Sequence, residues 1–400
     1  MKLISNRLAR FQPSLTVKIS QKAREMTRDG IKVISLSSGE PDFDTPNHIK
    51  QFAIDSIQNG FTKYTQVDGT DELKDAIVNK FQDENNLSYR RNNITVGVGG
   101  KHVIYNLLMS SIDHEDEVII PAPYWVSYPD IVSLCNGVPK IVETNFENGF
   151  KISPQELEKN ISSKTKWFII NSPGNPTGSV YTSDELIALS NVLKKYEHIN
   201  ILSDDIYEHI LYENSEFTNI LNVSPELNDR TFIINGVSKV FSMTGWRIGY
   251  GAGNEELIKS ISKIQSQCTT NPCSISQMAA MYALQKDKKF LDEWLVRFDE
   301  RKNFLLDFFR SVDGFKAYKP EGAFYLYVSC EGFIGKTYGV DKIIEDDYDF
   351  ANFLLNNAKV AVVPGIAFGK SPYFRLSYAT SLQELQKACD QIKESLKSLK

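Results

Sequence analysis

Histidine is scarce, five among 400 residues, and the five stand far apart. No HExxH motif and no paired-ligand spacing occurs, so no metal centre is expected. The five cysteines, Cys135, Cys268, Cys273, Cys330 and Cys389, are odd in number and lack CxxC spacing. That argues for reduced thiols rather than a disulfide framework or a zinc site. No apolar run approaches membrane-spanning length, and Met1-Lys2-Leu3-Ile4-Ser5-Asn6-Arg7 lacks the apolar stretch of a secretion signal. Together these lacks point to a cytoplasmic protein. There is no basic block, and a net charge of -5 argues against nucleic acid as a partner. No GxGxxG opens a strand–helix unit, which counts against a nicotinamide dinucleotide. No internal repeat and no low-complexity tract is present.

What is there is ordinary in bulk, 42% apolar and 24% charged, and too long for one small core. Residues 1–30 are polar and mixed and read as an arm or lid. From about Ile31, strand-like apolar runs alternate with helical patterns, which predicts an α/β fold with a largely parallel sheet. The runs are Ile94-Thr95-Val96, Glu117–Ile120 stopping at Pro121, Lys166–Ile170, Ile199–Leu202 and Thr231–Asn235. Thr45-Pro46, Ser153-Pro154-Gln155-Glu156 and Thr182-Ser183-Asp184-Glu185 read as helix starts. The stripe Leu382, Leu385, Cys389, Ile392, Leu396 and Leu399 reads as core packing of a last helix. Near residue 290 long charged helices give way to antiparallel-looking runs, Ala323–Val328 and Tyr373–Tyr378. The division expected is residues 1–45 as arm and part of a small domain, 46–290 as a large domain and 291–400 as a small α+β domain.

In open α/β sheets ligands bind outside the carboxyl ends of the strands, so the residues just past each run carry the interest. Gly99-Gly100-Lys101 enters a helix and lets backbone N–H groups approach a phosphate, or is a plain tight turn; without a Ser or Thr after the lysine it is no Walker A loop. Trp125 could stack on a planar ring or fill a core. Asn171-Ser172-Pro173-Gly174-Asn175-Pro176-Thr177-Gly178 is a rigid loop able to aim an amide. Ser203-Asp204-Asp205-Ile206-Tyr207 offers a carboxylate to a protonated ring nitrogen, or a helix cap. Lys239, just past a strand, can attack a carbonyl as a neutral amine and form a Schiff base, with Arg247 downstream to hold an anion. Arg375 alternates with Phe374 and Leu376 and can grip a carboxylate or close a salt bridge.

Taken together, phosphate loop, ring stacker, amide, carboxylate, lysine and arginine closely resemble the fold-type I pyridoxal-phosphate aminotransferases of class I, in the bacterial aspartate aminotransferase branch. The resemblance runs over almost the whole chain. It is carried by Ser38-Gly39-Glu40-Pro41-Asp42-Phe43-Asp44-Thr45-Pro46, Lys63-Tyr64, Asn175-Pro176-Thr177-Gly178, Ser203–Glu208, Ser238-Lys239, Gly245–Tyr250 and Phe374–Tyr378.

The resemblance implies pyridoxal 5'-phosphate held as an aldimine on Lys239, which then moves the proton at the substrate Cα. It implies Asp204, not Asp205, against the ring nitrogen, and Tyr207 and Asn175 as donors to the phenolic oxygen. Gly99, Gly100, Ser238 and Arg247 would cradle the phosphate, Trp125 would stack on the ring, and Arg375 with Asn175 and the Gly39 backbone would take the substrate carboxylate. Tyr64 would reach the phosphate of a neighbouring subunit, which implies a homodimer with shared sites. Lys101, with the Ser14–Thr16 segment, is the candidate for the distal carboxylate of an acidic substrate. The implied reaction is ping-pong transfer from L-aspartate to 2-oxoglutarate. Prephenate is a further acceptor in that branch, against which stands Gln12 where relatives carry an arm lysine. Another aminotransferase specificity, aromatic or alanine-type, a pyridoxal-phosphate lyase on the same fold, or a non-catalytic effector-binding module are the competing readings.

Overall fold

The computed structural model describes residues 3–10, 15–213 and 215–400. Gln12 and Ser14 lie outside them, and of Leu15 and Thr16 only the backbone is described. Among the described residues no helix is long and apolar enough to cross a membrane.

Eight strands carry the argument: Ile34–Ser35 (β1), Ile94–Gly97 (β2), Glu117–Ala122 (β3), Val138–Glu143 (β4), Thr165–Asn171 (β5), Asn200–Asp204 (β6), Thr231–Gly236 (β7) and Gly249–Ala252 (β8). Seven of them form one sheet in the order β2-β8-β7-β6-β5-β3-β4. β5, β6 and β7 are buried along nearly their whole length, which is why they read as continuous apolar runs rather than alternating ones. Only β8 runs against the rest, pairing antiparallel with β2 and β7. The carboxyl ends of the other six therefore open along one edge, and the amino end of β8 joins them there.

β3 runs through Pro121 to Ala122 instead of stopping before it. Proline lacks an N–H, but the pairing of β3 with β5 ends at Ile119 and β4 alone accompanies the last residues. Both capping boxes form as expected, at Ser153 with Glu156 and at Thr182 with Glu185. Thr45 does not cap. The helix Asn47–Gln58 has no side-chain cap, and the Thr45 hydroxyl donates to Ser242 O at 2.7 Å while accepting from Trp246 Nε1. The arm contains a helix, Leu15–Arg28, that was not expected from its polar composition. Leu15, Ile19, Ala23 and Met26 recur at helical spacing in the sequence, and Ile19, Ala23 and Met26 pack on the core. The polar residues between them mask this stripe when the segment is read by composition.

A second sheet of four strands gathers Lys316–Ala317, Tyr325–Ser329, Val363–Pro364 and Tyr373–Ser377. Tyr325–Ser329 and Tyr373–Ser377 are antiparallel, with Tyr327 opposite Arg375. β1 pairs with Val360–Ala361, tying the segment after the arm to this part of the chain. The helix Leu382–Leu396 buries Leu385, Ala388, Cys389 and Ile392.

Candidate active site

The edge where the strands end opens into a cavity of about 440 Å³. Twelve of the thirteen expected site residues meet around it. Eleven line it, and Gly99 lies behind Arg247 in its wall. The remaining residue, Tyr64, is 89% exposed and stands outside this lining.

Strand geometry explains the convergence. β2 delivers Gly99 and Gly100 into the helix Gly100–Ser111, and β8, entering the edge from the opposite direction, delivers Arg247 just before its first residue. Gly97, Gly236 and Gly249 lie abreast in the register. A Cβ on Gly249 would lie 2.1 Å from Gly100 N, so the helix start can approach only because that position is bare. Gly99 has φ 83°, and a Cβ there would sit 2.3 Å from Arg247 Nη2. A helix N-terminus, Ser238 and the Arg247 guanidinium thus line the same cavity, a donor set suited to a dianionic phosphate.

Asp204 ends β6 and is buried; among the described residues no lysine or arginine hydrogen-bonds to it. Burial pushes its carboxyl up to about 6, opposed by a hydrogen bond from Tyr128 at 2.6 Å. Asp205 turns away from the cavity and accepts from Ser203 Oγ at 2.7 Å and from Asn219 Nδ2. It is not a helix cap. The two neighbouring carboxylates therefore face different surroundings, and Asp204 alone can meet a ring nitrogen in the cavity.

Lys239 donates to Gly39 O. Burial first, and the nearby Arg375 next, lower its pKa to about 8, so a useful share of the amine is neutral near neutral pH. Arg375 is buried. Its Nη1 donates to Asn175 Oδ1 at 3.0 Å and its Nη2 to Ser37 O at 2.8 Å. Its Nε is buried and has no partner among the described residues. The guanidinium as a whole lines the cavity, where it offers a carboxylate a charged donor. Because Asn175 spends its oxygen on Arg375, its amide nitrogen is left to donate into the cavity.

Lys101 lies with its ammonium 5.0 Å from the centre of the Trp125 ring. Burial, and the charge on Arg247, lower its pKa. Trp125 meets Tyr128 edge to face at 5.2 Å.

Three side chains at the site went unread in the sequence. Tyr128 holds Asp204. Asn171 donates to Asp204 O at 2.8 Å and accepts from Asn175 N at 2.9 Å, bracing two expected residues at once. Tyr325 lies between Tyr207 and Arg375. Tyr128 comes three residues after Trp125 at a helix start, a spacing that could have drawn attention. Tyr325 sits inside an apolar strand and gave no signal.

A cavity that joins an anion cradle, a buried carboxylate and an activated lysine at the ends of one sheet's strands to a buried arginine of the other sheet has the features of a cofactor-dependent transferase. Residues 31–392 match the family Aminotransferase class I and II, and the chain belongs to that family. It is 50% identical over 392 residues to a protein of Cereibacter sphaeroides named aspartate/prephenate aminotransferase, covering 98% of each chain. The crystal structure of the aspartate aminotransferase from Rhizobium meliloti superposes with a TM-score of 0.97 at 45% identity, covering 100% of both chains. The Thermus thermophilus aspartate aminotransferase with maleate superposes with a TM-score of 0.92 at 38% identity, covering 99% of this chain and 100% of that one. The protein is an aminotransferase, as expected from the sequence, and its fold is the mixed, largely parallel α/β arrangement of these enzymes. The family implies pyridoxal phosphate, and the residues present fit it: the bare Gly99 cradle suits a phosphate and the isolated Asp204 a ring nitrogen.

Proposed function

We propose that this aminotransferase exchanges the amino group between L-aspartate and 2-oxoglutarate, giving oxaloacetate and L-glutamate. The observation that carries the reading is Arg375, a buried cation in the cavity wall whose guanidinium is pre-oriented by Asn175 and Ser37 O. Lys101 at the cavity wall is a second cation for a distal carboxylate, and the maleate bound to the Thermus thermophilus relative is itself a dicarboxylate.

Pyridoxal phosphate, when bound, acts as an electron sink for the pair left at Cα. Gly99, Gly100, Ser238 and Arg247 would bind its phosphate, and Asp204 would hold the proton on its ring nitrogen. Trp125 would stack on the ring, while Tyr207 and the Asn175 amide would donate to the phenolic oxygen. Lys239 would hold the cofactor through its amine and, as a neutral amine, would take and return the proton at the substrate Cα. Arg375 orients the α-carboxylate so that the Cα–H faces Lys239 Nζ. Because one cavity accepts both amino acids in turn, the two half-reactions run in ping-pong order.

The division at about residues 45 and 290 belongs to the same proposal. Supporting it, one sheet draws its strands from 94–252 and the other from 316–377. A homodimer is proposed on exposed Tyr64, which has no role in its own cavity, and a cytoplasmic site on five free thiols. The name of the Cereibacter sphaeroides relative makes prephenate a second acceptor to assay, with Gln12→Lys expected to raise that turnover.

The test is a visible absorption spectrum of the protein loaded with pyridoxal phosphate. A yellow band that bleaches on L-aspartate and returns with 2-oxoglutarate, with oxaloacetate formed in equal amount, is the expected result. Ammonia release instead would point to a lyase. A band indifferent to aspartate would reopen the substrate.

A further inference from the structure

Beyond the residues given roles above, one buried side chain touches both the cofactor side and the substrate side of the cavity. Tyr325 stands on the strand Tyr325–Ser329, beside the strand that carries Arg375. The Arg375 guanidinium carbon lies 4.4 Å from the centre of its ring. Its hydroxyl is 2.7 Å from the Tyr207 hydroxyl. It reaches the Gly39 segment as well, where a Cβ would lie 3.3 Å from Tyr325 Oη. Tyr325 is fully buried and lines the cavity.

A hydroxyl carries one proton. Either tyrosine can donate to the other, but a Tyr207 that donates into the cavity leaves its own oxygen to accept, and Tyr325 is a donor within reach. A hydroxyl that accepts a hydrogen bond is polarised and becomes a stronger donor. On the other side, an aromatic face against a desolvated guanidinium restrains it without competing for its N–H groups.

We propose that Tyr325 is a positioning residue with two separable actions: its hydroxyl turns Tyr207 into the donor that faces the cofactor, and its ring holds Arg375 ready for the substrate carboxylate. The inference rests on the aminotransferase reading of the cavity, and the two actions predict different defects. A weaker Tyr207 donor leaves more negative charge on the cofactor's phenolic oxygen, which keeps the chromophore protonated to higher pH. A loosened Arg375 costs substrate affinity.

The experiment compares the loaded unaltered protein with Tyr325→Phe and Tyr325→Leu. In Tyr325→Phe the pH midpoint of the visible absorbance should rise by about half a unit, with KM for L-aspartate within about twofold. In Tyr325→Leu the midpoint should move similarly, and KM should also rise on the order of fivefold as the ring contact is lost. Should the Leu variant not fold, the Phe variant alone decides the role of the hydroxyl. A Phe variant that titrates with the unaltered midpoint overturns this inference while leaving the proposed function standing, provided the unaltered protein shows a band that bleaches on aspartate. No band in the unaltered protein would overturn both.

Discussion

The Tyr128 hydroxyl donates to Asp204 Oδ2 at 2.6 Å, and both side chains are buried. Burial and this hydrogen bond act in opposite directions on the carboxyl, with burial prevailing and its pKa pushed up to about 6. Tyr128→Phe removes the opposing donor, so the pKa should climb further. A hydrogen bond to a charged group contributes about 1.5–3 kcal/mol. Since an ionised carboxylate is needed to hold a protonated ring nitrogen, affinity of the cofactor-free protein for pyridoxal phosphate should fail at a higher pH in the variant. Fluorescence titrations between about pH 5 and 8 check this, and superimposable curves would remove Tyr128 from the role.

Lys239→Ala should fold, yet lose covalent attachment of the cofactor and nearly all turnover. Borohydride treatment and then mass spectrometry distinguish the two proteins, because only the unaltered chain should keep the cofactor mass. The pKa of about 8 sets a pH dependence. The neutral amine is the nucleophile, so the rate of covalent capture should rise with pH and level off with a midpoint of about 8. A pH-independent rate would contradict the activation inferred from burial and Arg375.

Arg375→Ala removes the group proposed to meet the substrate carboxylate, and with it a partner of Asn175. At about 1.5–3 kcal/mol per charged hydrogen bond, kcat/KM should drop by about a hundredfold or more. Arg375→Lys should rescue little, since a point charge cannot replace the planar fork. Lys101→Gln separates substrates instead. It should lower kcat/KM for L-aspartate by about tenfold and leave L-alanine nearly unaffected; equal losses for both would assign Lys101 to the cofactor alone.

Asp205 gives a stability prediction. Burial, with Glu208 nearby, raises its pKa from 3.8 to about 8. Between those values the folded chain keeps a proton that the unfolded chain has released, so stability from this group falls as pH rises through the window. Asp205→Asn stays neutral throughout. Its stability relative to the unaltered protein should therefore grow from about pH 4.5 to about pH 7.5, measured by urea denaturation. A constant difference would mean that Asp205 is ionised in the folded state.

Residues at strand ends were legible because a buried parallel strand declares itself as an apolar run and the next polar residue falls at the sheet edge. Gly99, Asn175, Asp204 and Lys239 are found this way. Arg247 is found by its distance from Lys239, but the reason it reaches the same edge, the reversed direction of β8, is not visible in four residues of glycine, tyrosine and alanine. Thr45 reads as a cap because Thr-Pro so often is one. Its hydroxyl instead ties the segment to the Ser242 loop, a contact between segments remote in the chain.

The sequence alone determined the strand pattern, the edge on which chemistry could gather and the nature of the reactive groups, since each depends on local hydrophobicity and side-chain type. Tertiary structure decided which group does which work. Asp204 and Asp205 are adjacent and identical in kind, and only the direction of each side chain at the end of β6 gives one a place in the cavity and the other a closed polar niche. Tyr128 and Tyr325 differ from core aromatics only by what their hydroxyls meet. Such assignments depend on distances of a few ångströms between segments remote in the chain, and burial and hydrogen bonding act over those distances, whatever the order of the residues.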